Sequence, residues 1–124
     1  MITGIGIDFI EVERVKKLAE KSPRFLEKVF TPVEIAYCSQ KRNKYQNYAA
    51  RFAAKEAFIK AYPGDEVVSL LDIEVRNEPG GRPALMPRNA LADRLREKGI
   101  STVHLSLSHE REYGIACVVM ESDG

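Results

Sequence analysis

The sequence predicts an α+β fold in a single domain of 124 residues. Residues 2–9 alternate isoleucine with small or polar residues, as a half-buried strand does. Residues 46–61 are rich in alanine and contain no glycine or proline, which predicts a long helix. Residues 101–108 and 113–121 alternate again on either side of a polar tetrapeptide, which predicts a closing hairpin. Strands and helices are therefore segregated along the chain, as is typical of α+β proteins with a small antiparallel sheet packed by helices.

Helical patterns fill the segment between the first strand and the long helix. Residues 11–21 repeat apolar side chains at helical spacing, and Ser22-Pro23 begins a second, shorter helical segment. Thr31-Pro32-Val33-Glu34 combines an N-cap threonine, a proline at the first helical position and a glutamate at the third, so a third helix begins there. Pro63-Gly64 ends the long helix.

A small hairpin and one more helix complete the predicted order of elements. Residues 70–75 indicate a strand, residues 77–81 a turn and residues 83–86 a short return strand. Residues 88–98 indicate a helix that ends at Gly99.

The composition excludes several classes of protein. With 44% hydrophobic and 30% charged residues, the chain is too apolar for a disordered protein. No segment approaches the ~20 apolar residues of a membrane span, and the N-terminus lacks the basic start of a signal peptide. Cys38 and Cys117 lie far apart without the spacing of metal ligands, which favours reduced thiols. We therefore expect a cytoplasmic protein with no membrane partner.

The net charge of +1 conceals an uneven distribution along the chain. Residues 14–60 hold twelve basic and four acidic residues, a surplus of eight positive charges, whereas the remainder holds seven basic and fourteen acidic residues. A basic segment of this kind predicts an acidic partner or a phosphate-rich ligand, although solvated helix faces would have the same composition.

Two charged residues interrupt the apolar face of the long helix. Residues at spacings of three and four form a stripe that is apolar apart from Glu56 and Lys60. A carboxylate on a face turned toward the core is unfavourable unless it is paired or binds a metal. The pattern leaves two interpretations open, an internal Glu56–Lys60 ion pair and a metal ligand.

Two strands also carry unexpected polar residues. Asp8 ends the alternating part of the first strand, where it would either cap the following helix or face a ligand. His104, Ser106 and Ser108 share one face of the penultimate strand, which is either solvated or part of a site.

Together these residues predict a site for a hard cation and a phosphate-bearing ligand. Asp8 and Glu56 supply the one or two carboxylates with which proteins commonly hold Mg²⁺. Arg51, Lys55 and Lys60 lie on the same helix as Glu56 and provide cations for phosphates. The chain has no G-x-x-x-x-G-K-[ST] motif, so the pattern is not that of a P-loop nucleotide site.

Three segments carry longer motifs in a fixed order. They are Gly4-Ile5-Gly6-Ile7-Asp8 with Arg14 six residues on, Arg51-Phe52-Ala53-Ala54-Lys55-Glu56-Ala57-Phe58-Ile59-Lys60-Ala61, and Leu105-Ser106-Leu107-Ser108-His109-Glu110. Gly81-Arg82-Pro83 forms a turn motif between the last two. In order, spacing and total length, these segments resemble the small phosphopantetheinyl transferases of the holo-acyl-carrier-protein synthase type, and the resemblance covers essentially the whole chain.

The resemblance implies an enzyme that transfers the 4′-phosphopantetheine group of coenzyme A to a serine of an acyl carrier protein, in support of fatty acid biosynthesis. It implies that Asp8 and Glu56 bind Mg²⁺ and that Lys60 stabilises the phosphoryl group, which makes these three the expected catalytic residues. It also implies coenzyme A contacts, at Arg51, Lys55, Gly81, Arg82, Pro83, His104 and Ser106. The base that accepts the serine proton is left open between a metal-activated water and Glu56.

The resemblance further implies a homotrimer. Larger relatives contain two copies of this unit and a third acidic ligand two residues beyond the first, where this chain has Ile10. A chain of one unit would complete its site with a neighbouring subunit, so we expect active sites between the subunits of a trimer. Gly114 and Ala116 on the last strand would allow close packing at that interface, or ordinary packing in the core.

The basic N-terminal segment predicts a docking surface for the acidic carrier protein. Its basic residues are spaced to share one helical face, and Phe25 would add an apolar anchor; they are Arg14, Lys17, Lys21 and Arg24. The alternative is a non-enzymatic module that binds RNA through residues 14–60, with Tyr45 and Tyr48 as stacking platforms. That alternative gives Asp8 and Glu56 no role, so we expect no nucleic-acid partner.

Overall fold

Residues 1–123, which the computed structural model describes, form five α-helices and five β-strands. The first half holds strand β1 (Ile2–Glu11) and helices α1 (Val12–Lys21), α2 (Phe25–Val29), α3 (Pro32–Ser39) and α4 (Lys44–Ala61). The second half holds strands β2 (Ile73–Asn77) and β3 (Pro83–Pro87), helix α5 (Ala90–Glu97), and strands β4 (Ile100–His109) and β5 (Tyr113–Ser122). The predicted α+β class is confirmed.

One predicted strand is partly wrong. The strand expected over residues 70–75 begins only at Ile73, because Leu70–Asp72 forms a short 3₁₀ helix. The Ser69 hydroxyl accepts a hydrogen bond from the Leu71 N–H at 3.3 Å, and the Asp72 N–H donates to the Ser69 carbonyl at 3.0 Å. These bonds close a tight turn that the apolar pattern alone does not indicate.

The strands form two antiparallel sheets. Strands β1, β5 and β4 make a three-stranded sheet in that order, which confirms the predicted closing hairpin, and β2 pairs only with β3. In the larger sheet, Asp8 of β1 pairs with Ala116 of β5, and Ser106 of β4 pairs with Cys117. Because neighbouring side chains alternate across a sheet, Asp8 and Ala116 point to one face, and Ser106 and Cys117 to the other.

Helix α4 lies against the face that carries Asp8 and Ala116, here called the inner face. Every residue of the helix from Asn47 to Lys55 is buried, so the helix is enclosed on all sides. Gly6 permits this packing, since a Cβ there would lie 2.9 Å from the carbonyl carbon of Ala57. A Cβ on Gly114 would likewise lie 2.7 Å from the Ala50 Cα. Gly114 and Ala116 therefore pack in the core, which is the second of the two alternatives that the sequence left open.

The opposite, outer face of the sheet exposes large apolar side chains. Ile5, Ile7 and Phe9 of β1 are 64%, 61% and 65% exposed, and Ile115 of β5 is 38% exposed. Exposed apolar patches of this kind mark contact surfaces in folded proteins.

Within residues 1–123, no helix combines the length and the apolar content needed to cross a bilayer.

Candidate active site

Asp8, Glu56 and Lys60 meet where β1 passes the last turns of α4. Asp8 lies on the inner face of the sheet, two residues beyond the close contact at Gly6. The Lys60 ammonium donates to Asp8 Oδ1 at 3.0 Å and to the Ile7 carbonyl at 3.1 Å. The Asp8 side chain is 18% exposed and the Lys60 side chain 55%, so this cluster opens to solvent.

Glu56 is half-buried within the same cluster. Burial raises the pKa of Glu56 above its ordinary value, and the negative charge of Asp8 raises it further. The positive charges of Lys60 and Arg14 lower the pKa, but by less. Two carboxylates and two cations thus act on one another at the surface end of α4.

The alternative interpretations of Asp8 and Glu56 do not hold. Lys60 pairs with Asp8 rather than with Glu56. Helix α1 begins after Glu11 with no side-chain hydrogen bond to its first turn, so Asp8 does not cap it. Within residues 1–123, Glu56 therefore has no ion-pair partner, and Asp8 bonds Lys60 through Oδ1 alone.

The donor set of the cluster fits a hard divalent cation. Asp8 and Glu56 present carboxylate oxygens from two different elements at a partly exposed position. In the part of the chain that the structure describes, no group of three or more His, Cys, Asp or Glu side chains could hold a metal ion. A cation held by two carboxylates would keep positions free for water and substrate oxygens, which is the usual arrangement for Mg²⁺.

A second polar group surrounds Arg51 on another side of α4. Arg51 is 4% exposed, and its Nη2 donates to Asn77 Oδ1 at 2.7 Å. Asn77 donates in turn to the Gly81 carbonyl at 3.0 Å, which connects Arg51 to the turn formed by residues 78–82. The Nε of Arg51 is buried, and no atom within residues 1–123 accepts its hydrogen bond.

The turn at residues 78–82 faces strand β4 across a cleft of about 180 Å³. Arg82 and Pro83 line one side of the cleft, and His104 lines the other. His104 Nε2 lies 2.7 Å from Glu121 Oε1, in a pair that is exposed to solvent. The structure therefore brings together most of the residues predicted to contact coenzyme A.

Asp8 and the β4 residues predicted to contact coenzyme A lie on different faces of the larger sheet. His104 pairs with Val119 and Ser106 with Cys117, so both side chains point to the outer face. Asp8 points to the inner face, toward α4. A ligand bound by Asp8 and by Ser106 of the same protomer would have to pass around the sheet.

Lys55 does not have its predicted role as a phosphate contact. Its side chain is fully buried, and its ammonium lies 2.7 Å from Glu34 Oε1 and donates to the Leu70 carbonyl at 2.8 Å. Glu34 also accepts hydrogen bonds from the Thr31 N–H at 2.8 Å and the Val75 N–H at 2.7 Å. Burial lowers the pKa of Lys55, although the charge of Glu34 opposes the shift. Lys55 thus joins α3, α4 and β2 inside the core.

The basic residues of α1 form an accessible surface. Three of them line an open cleft of about 410 Å³: Arg14, Lys17 and Lys21. Arg24 is exposed just before α2. Phe25 is half-buried, and its ring packs edge-on against Phe52 with the centroids 6.1 Å apart. Phe25 therefore contributes to packing and keeps part of its ring exposed, and its role as an apolar anchor stays a prediction.

The tyrosines needed for RNA stacking are largely covered. Tyr48 is 0% exposed, and its hydroxyl lies 2.6 Å from the Ser39 hydroxyl. Tyr45 is half-buried, with the Lys44 ammonium 5.2 Å from its ring centroid. The two tyrosines therefore do not provide the exposed aromatic faces on which RNA binding by stacking would depend.

Three residues have contacts that their sequence positions do not indicate. Asn77 lies in a segment whose residues are typical of a turn, and no local sequence pattern predicts its hydrogen bond with Arg51. Tyr37 places its ring centroid 4.2 Å from the Arg51 guanidinium. Glu34 was predicted as a helix-capping residue, which the structure confirms, but its bond to Lys55 depends on long-range packing.

Comparison with known proteins gives matches along the whole chain. A family model described as the 4′-phosphopantetheinyl transferase superfamily matches residues 4–118. A holo-[acyl-carrier-protein] synthase from Halothermothrix orenii is 50% identical over 124 residues, which cover 98% of each chain.

Solved structures agree with this match. The crystal structure of holo-[acyl-carrier-protein] synthase from Neisseria meningitidis superposes with a TM-score of 0.90 at 36% identity, covering 98% of this chain and 100% of that one. A holo-(acyl-carrier-protein) synthase from Bacillus anthracis in complex with CoA (3′,5′-ADP) gives a TM-score of 0.80 at 39% identity, covering 99% of each chain. Both polar groups fall inside the matched residues.

Proposed function

Because the chain belongs to the 4′-phosphopantetheinyl transferase superfamily, and is therefore a transferase, we propose that it moves 4′-phosphopantetheine from coenzyme A to a serine of an acyl carrier protein. The products are the holo carrier protein and adenosine 3′,5′-bisphosphate. The observation that carries the proposal is the cluster of Asp8, Glu56 and Lys60, which lies within the matched residues and suits a phosphoryl group. The proposed role is carrier activation for fatty acid biosynthesis, in a cytoplasm that keeps Cys38 and Cys117 reduced.

Asp8 and Glu56 are the proposed ligands of Mg²⁺. When bound, the ion offsets the negative charge that develops on the phosphoryl oxygens during transfer. Asp8 and Glu56 hold their carboxylates at the open end of α4, and their mutual repulsion favours a cation between them. The two carboxylates would supply no more than part of a coordination shell, so an ion held there would keep positions free for substrate oxygens.

Lys60 is the proposed catalytic cation of the chain itself. Its ammonium is exposed and bonded to Asp8 and the Ile7 carbonyl, so a phosphate that enters the cluster finds a donor already in place. The serine oxygen attacks the β-phosphorus of coenzyme A, the bond from this phosphorus to the bridging oxygen breaks, and adenosine 3′,5′-bisphosphate leaves with that oxygen. The serine proton passes to a base, either Glu56 or a water molecule. A positioned ammonium stabilises the oxygens on which charge accumulates.

The nucleotide end of coenzyme A is proposed to lie against the second polar group. The proposed contacts are Arg51, Gly81, Arg82, Pro83, His104 and Ser106. Arg51 is a buried cation with an unpaired Nε, which is unfavourable unless an anion approaches it. Lys55 is excluded from this set because Glu34 already neutralises it in the core.

We propose that the active site lies between the subunits of a homotrimer. The metal-binding carboxylates and the residues of β4 lie on opposite faces of the sheet, which favours a ligand shared by two protomers. The outer face also exposes Ile5, Ile7 and Phe9, and covering them with a second copy would bury apolar surface. Analytical ultracentrifugation tests this proposal, since a monomer at micromolar concentration would contradict it.

The proposed docking surface for the acidic carrier protein is the cleft along α1. Arg14, Lys17 and Lys21 line it, and Arg14 is near enough for its charge to lower the pKa of Glu56, so the proposed surface would lie beside the carboxylates. Arg14→Glu is expected to raise the KM for the carrier about tenfold at low salt, with a smaller difference at high salt. Lys16→Glu reverses a charge on the same helix outside the cleft and serves as the control. An unchanged KM in the Arg14 variant would contradict the proposed surface.

The central experiment is mass spectrometry of the carrier protein. An apo carrier incubated with the enzyme, coenzyme A and Mg²⁺ is expected to gain the mass of one phosphopantetheine group, and EDTA should prevent the gain until Mg²⁺ is restored. Glu56→Gln should lower transfer by about 10²-fold or more while the protein stays folded, because one of two metal ligands is lost. Glu97→Gln, an exposed substitution on α5, is the matched control. The transferase proposal fails if several apo carriers gain no mass.

A further inference from the structure

Arg51 is an unusual buried cation because no carboxylate neutralises it. It is 4% exposed, and within residues 1–123 no Asp or Glu oxygen forms an ion pair with it. Its partners are the Asn77 amide oxygen, 2.7 Å from Nη2, and the Tyr37 ring, whose centroid is 4.2 Å from the guanidinium. Both partners orient the guanidinium without cancelling its charge.

Asn77 uses both ends of its amide in this network. Its oxygen accepts from Arg51, and its Nδ2 donates to the Gly81 carbonyl at 3.0 Å and to the Tyr37 hydroxyl at 3.4 Å. A guanidinium only donates and a carbonyl only accepts, so a single orientation of the amide satisfies both neighbours. Neither a carboxylate nor an apolar side chain of similar size can form this pair of bonds.

The turn beyond Asn77 has little other support. The Gly81 N–H donates to the Glu78 carbonyl at 2.7 Å, and the Glu78 N–H donates to the Arg82 carbonyl at 2.8 Å. No heavy atom would lie within 4 Å of a Cβ on Gly80 or Gly81, so the turn projects into open space. Among the described residues, Asn77 forms the one side-chain hydrogen bond to this turn.

We propose that Asn77 is a positioning residue that holds Arg51 and the turn at residues 78–82 in a fixed relation, so that both engage one phosphate-bearing ligand at once. A ligand that meets two preorganised partners loses less free energy to ordering them than a ligand that must assemble them. The proposal deepens the proposed function, because it takes that ligand to be the nucleotide end of coenzyme A.

Asn77→Asp removes the N–H donor of the side chain and keeps an oxygen acceptor. The variant keeps an oxygen for Arg51 but has no N–H for the Gly81 carbonyl. Amide exchange of Glu78 and Gly81, measured by NMR in the free protein, is expected to accelerate about fivefold, as loss of one hydrogen bond implies. The KM for coenzyme A should rise about tenfold, with kcat and the KM for the carrier unchanged within about twofold. Asn77→Leu should show at least the same effects.

The control is Asn43→Asp, because Asn43 has its side-chain contacts at the start of α4. This variant should keep wild-type exchange and a wild-type KM for coenzyme A. A purely structural role for Asn77, as acceptor for Arg51, predicts wild-type amide exchange of Glu78 and Gly81 in Asn77→Asp. Because the new carboxylate would also neutralise Arg51, the KM for coenzyme A is judged in Asn77→Leu, which adds no charge. The proposal is overturned if the exchange is unchanged in Asn77→Asp or the KM for coenzyme A is unchanged in Asn77→Leu. Because exchange is measured without ligand, its outcome is independent of whether any carrier protein gains mass.

Discussion

Replacement of Gly6 by alanine tests how the fold builds the carboxylate cluster. A methyl group at this position would lie 2.9 Å from the carbonyl carbon of Ala57 and 3.0 Å from the Ala61 nitrogen. Carbon atoms in contact are normally about 3.5–4.0 Å apart, so β1 would have to retreat from α4 by roughly 1 Å. Both of these atoms belong to the backbone of α4, so rotation of a side chain cannot remove the clash.

The expected effects on stability and activity differ in origin. Overpacking costs about 1–3 kcal/mol, which for a chain of this size corresponds to a fall in Tm of roughly 3–15 °C. Asp8 lies two residues from Gly6 and moves with the strand, away from Glu56 and Lys60. A displacement of about 1 Å at reacting groups can lower the rate by about 10²-fold. Turnover should therefore fall even at temperatures where the variant is fully folded.

Thermal unfolding and the carrier mass assay measure the two effects separately. Gly80→Ala is the matched control for stability, because no heavy atom lies within 4 Å of the added Cβ. Adding Ala57→Gly to the Gly6 variant should not restore it, since the obstructing atoms are the carbonyl group and not the methyl group. A Gly6→Ala protein with wild-type Tm and turnover would refute the close-packing argument.

Two further predictions concern the core. Glu34→Gln should destabilise the protein by about 3–5 kcal/mol in urea unfolding, because it leaves the Lys55 charge buried and unpaired, and adding Lys55→Met should recover part of the loss. Additive losses in that double variant would show that Glu34 and Lys55 are not coupled. Burial raises the pKa of Cys38 to about 11, so in a Cys117→Ser protein at pH 8 the remaining thiol should react with a disulfide reagent only after unfolding. Rapid labelling of the folded variant would contradict this.

Local sequence patterns predicted most elements of the fold because their causes are local. Alternation predicted β1 and the hairpin of β4 and β5, and the capping motif predicted the start of α3. The pairing of β1 with β5 joins opposite ends of the chain, and no local pattern specifies it. The Leu70–Asp72 turn depends on the Ser69 hydroxyl, which the apolar pattern does not register.

The candidate site was predictable where a charged residue interrupted an apolar pattern. Asp8 and Glu56 were such interruptions, and the structure brings them together with Lys60. The prediction for Lys55 is wrong because an apolar stripe predicts one buried face, whereas α4 is enclosed on all sides. Its ion-pair partner, Glu34, belongs to another helix, so the sequence of α4 alone does not indicate that Lys55 is buried.

The burial of Ile10 bears on why the proposed metal site has two carboxylates and not three. The resemblance implies that larger relatives carry a third acidic ligand at this place. Here Ile10 is 6% exposed and points to the inner face of the sheet, like Asp8. A carboxylate in this buried position would lose several kcal/mol to desolvation unless a cation balanced it. With an apolar residue there, the core of a single unit stays intact, and the proposed cation would keep more positions for substrate oxygens. The apolar Ile10 therefore suits the proposed site, whose remaining contacts would come from coenzyme A and a neighbouring subunit.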